Sequence, residues 1–206
     1  MLSLIAKELK NHMPFTTVGA ITGIVLLLLL RTVPYEVSYK IFYIFHPLHV
    51  LMSALVTTSL LIIYKSDNNY KPTFLNVFII GYIGSVGIAT ISDSIVPYLG
   101  EWLLDLPNRG IHLGFIEKWW LVNPLAILGI IIAYFKAITK IPHFLHVLIS
   151  TWASLFHILM AGGSVDIFTS IVVFIFLFLA VWLPCCTSDI VFPLLFVGDK
   201  HVHNHN

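Results

Sequence analysis

The chain has 206 residues, of which 58% are hydrophobic and 10% are charged, with a formal net charge of +1. A water-soluble domain does not need so much apolar surface, so the composition predicts an integral membrane protein. The near-zero charge and the lack of a basic run argue against nucleic acid as a partner. The two cysteines, Cys185 and Cys186, are adjacent, which argues against a disulfide framework because vicinal cysteines bridge poorly.

Continuous apolar runs of about twenty residues predict membrane-spanning helices rather than the alternating strands of a barrel. Residues 1–10 precede the first run and are predicted to form a short amphipathic helix, with no cleavable signal peptide. The connection at 100–118 is the only one long enough to hold structure of its own. Charges, Pro and Gly delimit six predicted spans, at 14–33, 41–64, 73–99, 119–138, 142–161 and 165–191.

An internal duplication organises the chain. Residues 46–53 read HPLHVLMS and residues 143–150 read HFLHVLIS, so six of eight positions are identical. Each copy is followed by a Ser-Asp pair, with Asp93 and Asp189 lying 47 and 46 residues after the first His. Each copy holds three spans, an odd number, so the second enters the membrane from the opposite side. The predicted fold class is therefore all-α and polytopic, with six transmembrane helices in a 3+3 inverted-topology repeat.

The duplication divides the chain into two units and a tail. Residues 1–100 form the first three-helix repeat, 101–198 form the second, and 199–206 are a His-rich tail. Seven Lys and Arg residues lie on the side of the N-terminus and four on the other. The positive-inside rule therefore predicts a multi-pass protein of the cell (inner) membrane with both termini inside. The lipid bilayer is the expected surrounding, and six short spans are compatible with a homodimer.

The duplicated His and Asp residues are the candidate functional residues. His46 and His49 are three residues apart on one helix face, and Asp93, on the antiparallel third span, is expected at their depth toward the outer side. By the same geometry the second copy forms a group toward the inner side. Ionisable residues inside a membrane are costly and are functional candidates by default.

The inversion also assigns the charged residues that precede the first span of each half. Glu8 and His12 are expected to join the inner group, and His112 and Glu117 to join the outer group. A surface role remains open for these four residues. The complete set of predicted metal ligands is Glu8, His12, His46, His49, Asp93, His112, Glu117, His143, His146 and Asp189.

Two imidazoles with one carboxylate suit a divalent transition metal such as Zn, Fe, Mn, Ni or Co, with zinc and iron the leading candidates. The leading functional hypothesis is a small secondary transporter, not an enzyme, that moves the ion across the interface between the repeats. The alternative is a membrane-embedded metalloenzyme, a hydrolase of a lipid or lipid-linked substrate. The presence of ligands in both halves favours transport. Haem ligation or a structural metal is a third hypothesis.

Structural explanations exist beside the functional ones. A single His in an apolar helix, such as His157, is typically hydrogen-bonded to a neighbouring carbonyl group. Asp93 and Asp189 precede a proline closely, as residues at a helix end often do. Cys185 and Cys186 are interpreted as small fillers beside a proline, with a soft-metal site as the less favoured alternative.

Overall fold

The computed structural model describes residues 2–66, 73–138, 140–164, 166–186, 192 and 196; at 2–9, 11–12, 140–144 and 185–186 it describes the backbone alone. This part of the chain is helical and contains no strand. The helices are α1 (Leu2–Leu30), α2 (Tyr35–Ser66), α3 (Phe74–Leu103), α4 (Gly114–Glu117), α5 (Trp119–Phe135), α6 (Lys140–Ala161) and α7 (Ile167–Cys186).

Four segments are long and apolar enough to cross a membrane. They are Met13–Leu30 in α1, the whole of α2 and α3, and Ile167–Pro184 in α7. A span needs about 20 apolar residues, because the hydrocarbon layer is about 30 Å thick and a helix rises about 1.5 Å per residue. Helix α5 and the segment Leu145–Ala161 of α6 are apolar but shorter, at 17 residues each. The all-helical fold is therefore compatible with a membrane protein.

Each of the six predicted runs contains one long helix, but several boundaries differ from the prediction by three or more residues, and the differences in α1 and α3 are the most informative. The predicted short N-terminal helix is not separate, because α1 continues from Leu2 through Pro14 into the first apolar run. Helix α3 ends at Leu103 rather than near residue 99, so Glu101 lies within a helix and not in a loop. The second difference matters for the functional site.

Helix α2 lies at the centre of the bundle. It packs along α5 and α6, and it also contacts α3. Helix α1 packs against α6 and α7. Gly129 of α5 permits the close approach to α2, because a Cβ atom there would lie 2.6 Å from the backbone oxygen of Leu51.

Helix α3 is interrupted by two π-helical turns, Ile83–Gly87 and Ile91–Ile95. Such turns insert a residue into the α-helical pattern, change the direction in which side chains project, and occur frequently at functional sites. The second turn contains Asp93, which is fully buried. The turn therefore determines where this carboxylate points.

The segment between α3 and α5, residues 104–118, covers one end of the bundle and is called the connecting segment. Its Asn108 N–H donates to the carbonyl of Ala161 at the end of α6 (3.0 Å), and its Gly110 N–H donates to Glu101 Oε2 (3.3 Å). Later in the same segment, Gly114 approaches His46 so closely that an added Cβ would overlap the imidazole ring. The segment thus closes the bundle over α2, α3 and α6.

Candidate functional site

A buried carboxylate binds two imidazoles at the centre of the bundle. Asp93 Oδ2 lies 2.9 Å from His46 Nδ1 and 2.7 Å from His49 Nδ1. None of the three side chains has any solvent exposure. The one-turn spacing of the two His residues on α2 directs both rings toward α3, where the π-helical turn presents the carboxylate. The structure therefore brings these three predicted site residues together.

The other oxygen of Asp93 is occupied by serine hydroxyls. Ser92 Oγ donates to Oδ1 at 2.5 Å and Ser150 Oγ donates to it at 3.1 Å. Ser154, one turn after Ser150 on α6, donates to the backbone oxygen of Ser92 at 3.0 Å. Four donors thus surround one carboxylate, which compensates the cost of burying its charge. These hydrogen bonds suit Asp93 to orienting the two imidazoles, whereas the sequence suggested that it binds a metal ion directly.

These bonds decide which nitrogen the rings present. A neutral imidazole that donates from Nδ1 carries its acceptor lone pair on Nε2. For His46, Nε2 is buried and has no hydrogen-bond partner among the described residues. An imidazole held through Nδ1 by a carboxylate, with Nε2 presented, is the usual arrangement around protein-bound metals.

His146 from the second copy of the motif lies against His49. The two ring centroids are 4.6 Å apart with an angle of 34° between the planes, and His146 is fully buried. The two copies were expected near opposite faces, yet these two rings are in contact. The expectation was wrong for His146 because it counted residues from the span ends. Helix α2 is 32 residues long, so the antiparallel helices α2 and α6 overlap along the motif.

His112 and Glu117 form a separate pair in the connecting segment. His112 Nδ1 lies 3.3 Å from Glu117 Oε2, and the Tyr43 hydroxyl donates to the same oxygen at 2.7 Å. Their side chains are 18% and 33% exposed. They lie at the end of the bundle near His46, but neither is bonded to Asp93, whose oxygens are bonded to the imidazoles and serines described above.

Sequence reasoning missed a second buried imidazole–carboxylate pair. His157 Nδ1 lies 2.6 Å from Glu101 Oε1, and each residue is only 1% exposed. His157 was expected to bond a carbonyl, and Glu101 was placed in a loop because the third span was ended too early. The spacing of these residues could have revealed the pair, because residues four apart lie on the same face of a helix. Two such steps lead from Asp93 to Glu101. On α6, steps of four, four and three lead from His146 to His157 along one helix face.

The remaining predicted ligands lie outside the described residues or have only their backbone described. This applies to Glu8, His12, His143 and Asp189, and also to the pair Cys185 and Cys186. Within the described part, no three His, Cys, Asp or Glu side chains are arranged so that they could hold a metal ion. The described geometry provides pairs of imidazoles with at least one carboxylate beside each pair, rather than a complete ligand set.

No protein-family model matches the chain, and no curated protein and no solved structure is significantly similar to it. The function must therefore be argued from the residues themselves.

Proposed function

We propose that this protein is a small secondary transporter for a divalent transition-metal ion, with zinc and iron the leading candidates. The observation that carries the proposal is the contact between His49 and His146 beside the buried carboxylate of Asp93. Ionisable groups with no solvent exposure in apolar helices are costly, and they usually mark the path of an ion or a proton. The contact joins one imidazole from each copy of the repeated motif.

The proposal includes the 3+3 inverted repeat, with residues 1–100 and 101–198 as its units. Residues 20–25 (AITGIV) resemble residues 126–131 (AILGII), so Gly23 and Gly129 are equivalent in the two units, and their contacts support the repeat. A Cβ on Gly129 of α5 would lie 2.9 Å from Ala54 Cβ, and a Cβ on Gly23 of α1 would lie 3.4 Å from Thr151 Cγ2. In the motif alignment, Ala54 and Thr151 are the same position. The first helix of each unit therefore approaches the second helix of the other unit at a matching point.

The contact between His49 and His146 supports the same symmetry, since these residues are also equivalent. A residue can touch its own counterpart only at the axis that relates the two halves. Transporters built from inverted repeats bind their substrate near this axis, at mid-membrane. The proposed ion site therefore lies where the two halves meet.

Imidazole nitrogens are suitable ligands for these ions. His binds Zn, Fe, Co and Ni in its neutral form, so binding is linked to proton release. Asp93 would act as the orienting carboxylate, because its four hydrogen bonds leave it poorly available as a ligand. Two imidazoles do not complete a coordination shell, so we propose that water supplies the further ligands. His143 and Asp189 remain candidates for the inner side.

The proposed setting is the cell (inner) membrane with both termini inside, as the loop charges predict. The alternative, a metalloenzyme that hydrolyses a lipid or lipid-linked substrate through metal-activated water, is less favoured. An enzyme needs one active site, whereas both copies of the motif contribute an imidazole to the contact between His49 and His146. Transport therefore remains the preferred function, and the homodimer remains a prediction.

The test is ion uptake into proteoliposomes that contain the purified protein and a trapped metal indicator. Zn²⁺, Fe²⁺, Mn²⁺, Co²⁺ and Ni²⁺ are supplied outside in turn, and protein-free vesicles give the background. We expect the wild type to take up at least one of these ions. We expect His49→Ala and His146→Ala to abolish that uptake, and Asp93→Asn to weaken it by about 10- to 100-fold, the usual effect of losing an orienting partner.

The matched control is Asp166→Asn. Asp166 is an exposed carboxylate that caps α7, since its Oδ1 accepts a hydrogen bond from the Thr169 N–H at 2.7 Å. Asn caps helices as well as Asp does, so this variant removes a charge without removing the cap. Wild-type vesicles that match the background for all five ions would reject the proposal, as would unchanged uptake by both His variants.

A further inference from the structure

A second group of imidazoles lies at the end of α2 beneath the connecting segment. His157 and His112 are in ring contact, with centroids 5.4 Å apart and planes at 67°. Both rings also lie beside Phe42, at 5.4 Å for His157 and 6.3 Å for His112. This group is distinct from the pair formed by His49 and His146. We call it the mouth cluster.

Each imidazole of the mouth cluster is held by its own carboxylate through Nδ1. His157 is bonded to Glu101 at 2.6 Å, and His112 to Glu117 at 3.3 Å. The Gly110 N–H supports the other oxygen of Glu101, and the Leu113 N–H supports the other oxygen of Glu117. The same device orients His46 through Asp93. Rings fixed in this way present Nε2, the nitrogen that binds a metal.

The free nitrogen of His157 points to a ligand. Its Nε2 is buried and has no hydrogen-bond partner among the described residues, although His157 is only 1% exposed. Buried polar atoms in proteins nearly always have a partner, and an exception calls for an explanation such as a bound ion. A purely structural ion pair would explain Nδ1 but not the bare Nε2.

The mouth cluster lies between solvent and the central site, by which we mean Asp93, His46, His49 and His146. His112 and Glu117 are partly exposed, whereas His157 is buried one layer deeper. The ring of Phe42 contacts both His157 and His46, and it is stacked on His46 at 5.2 Å with an angle of 9°. Imidazoles therefore occur at successive depths, from the surface at His112 to the fully buried His46.

We propose that His112 and His157 form a second binding site for a divalent transition-metal ion. Two imidazoles and water would bind the ion, while Glu101 and Glu117 position the rings. This site and the one at His49 and His146 each offer two imidazoles, but His112 is partly exposed and lies 3.3 Å from its carboxylate. We therefore expect this site to hold its ion more loosely, which suits a position where cargo is exchanged with solvent. The role of this site as the mouth of a transport path rests on the proposed function. Metal binding by the two imidazoles does not.

The test is equilibrium binding of Co²⁺ to the full-length protein in detergent. Equilibrium dialysis measures the amount of bound Co²⁺, and visible absorption reports its coordination by imidazole. We expect the wild type to bind Co²⁺ at two classes of site. His157→Ala and His112→Ala should each remove the weaker class and its absorption bands, and leave the stronger class intact. His146→Ala should have the opposite effect. Glu101→Gln should weaken the same class as His157→Ala by about 10- to 100-fold.

His112→Ala protects the test against misfolding, because this partly exposed residue lies in the connecting segment and its loss opens no deep cavity. Asp166→Asn is the control and should bind as the wild type does. Binding classes and spectra that are unchanged in both His112→Ala and His157→Ala would overturn the inference. Wild type that binds no Co²⁺ would overturn it as well. Loss of the weaker class in a protein that transports nothing would uphold this site and reject the proposed function.

Discussion

Removal of the Asp93 carboxylate tests whether this residue holds the buried cluster together. In Asp93→Ala, the Nδ1–H donors of His46 and His49 lose their acceptor inside a region with no solvent exposure. An unsatisfied buried donor costs about 1–3 kcal/mol, so the two together should destabilise the protein by about 2–6 kcal/mol. For a chain of this size about 1 kcal/mol corresponds to 2–4 °C, so the Tm should fall by about 4–24 °C.

Asp93→Asn separates the loss of charge from the loss of shape. The amide oxygen can still accept from the imidazoles, and the hydroxyls of Ser92 and Ser150 can rotate to accept from the amide nitrogen. The expected loss is about 1–3 kcal/mol, the difference between charged and neutral hydrogen bonds over the cluster. Circular dichroism of the detergent-solubilised protein during heating gives the Tm. Asp93→Ala with the same Tm as wild type, or a higher Tm than Asp93→Asn, would refute this account.

Three further predictions concern packing and charge outside this carboxylate. Gly114→Ala should displace the His46 ring and lower the proposed ion uptake in proteoliposomes, because the added Cβ would overlap the imidazole. Gly87→Ala is the control and should leave uptake unchanged, because its Cβ would meet nothing within 4 Å. Gly129→Ala should lower the Tm measured by circular dichroism, because its Cβ would press on the backbone of α2. The hydrogen bond from the Thr169 N–H lowers the pKa of Asp166 below its ordinary value. The stabilisation by this charge is therefore present above the ordinary pKa of about 4 and is lost at lower pH, so the Tm of wild type should fall relative to Asp166→Asn in acid.

The sequence contained most of the information about the helices. Apolar runs bounded by charges and prolines located six long helices, because a helix in an apolar setting must be continuous to satisfy its backbone. The end of α3 was misjudged because Gly100 and Glu101 resemble a loop. In the structure Glu101 stays helical, with its carboxylate bonded to His157 and to the Gly110 N–H. Tertiary contacts that accommodate a charge are not visible in a local pattern.

The site was predictable where repetition singled it out. His46, His49 and Asp93 were found because they recur with their spacing, and the structure brings them into contact. His157 and Glu101 have no such repetition and were missed. The direction of the Asp93 side chain depends on a π-helical turn, which leaves no recognisable pattern in the sequence. The identity of the site residues was thus easier to predict than their position in the bundle or their hydrogen-bond partners.

The polar contacts of the central site cross between the two proposed units. Ser150 of the second unit donates to Asp93 of the first, and Ser154 donates to the backbone of Ser92. The rings of His49 and His146 meet across the same boundary. If the units move against each other during transport, these are the contacts that must change. An ion held by both imidazoles would then favour the arrangement of the units in which it is bound more tightly. This difference in affinity is what links ion binding to the movement of the units.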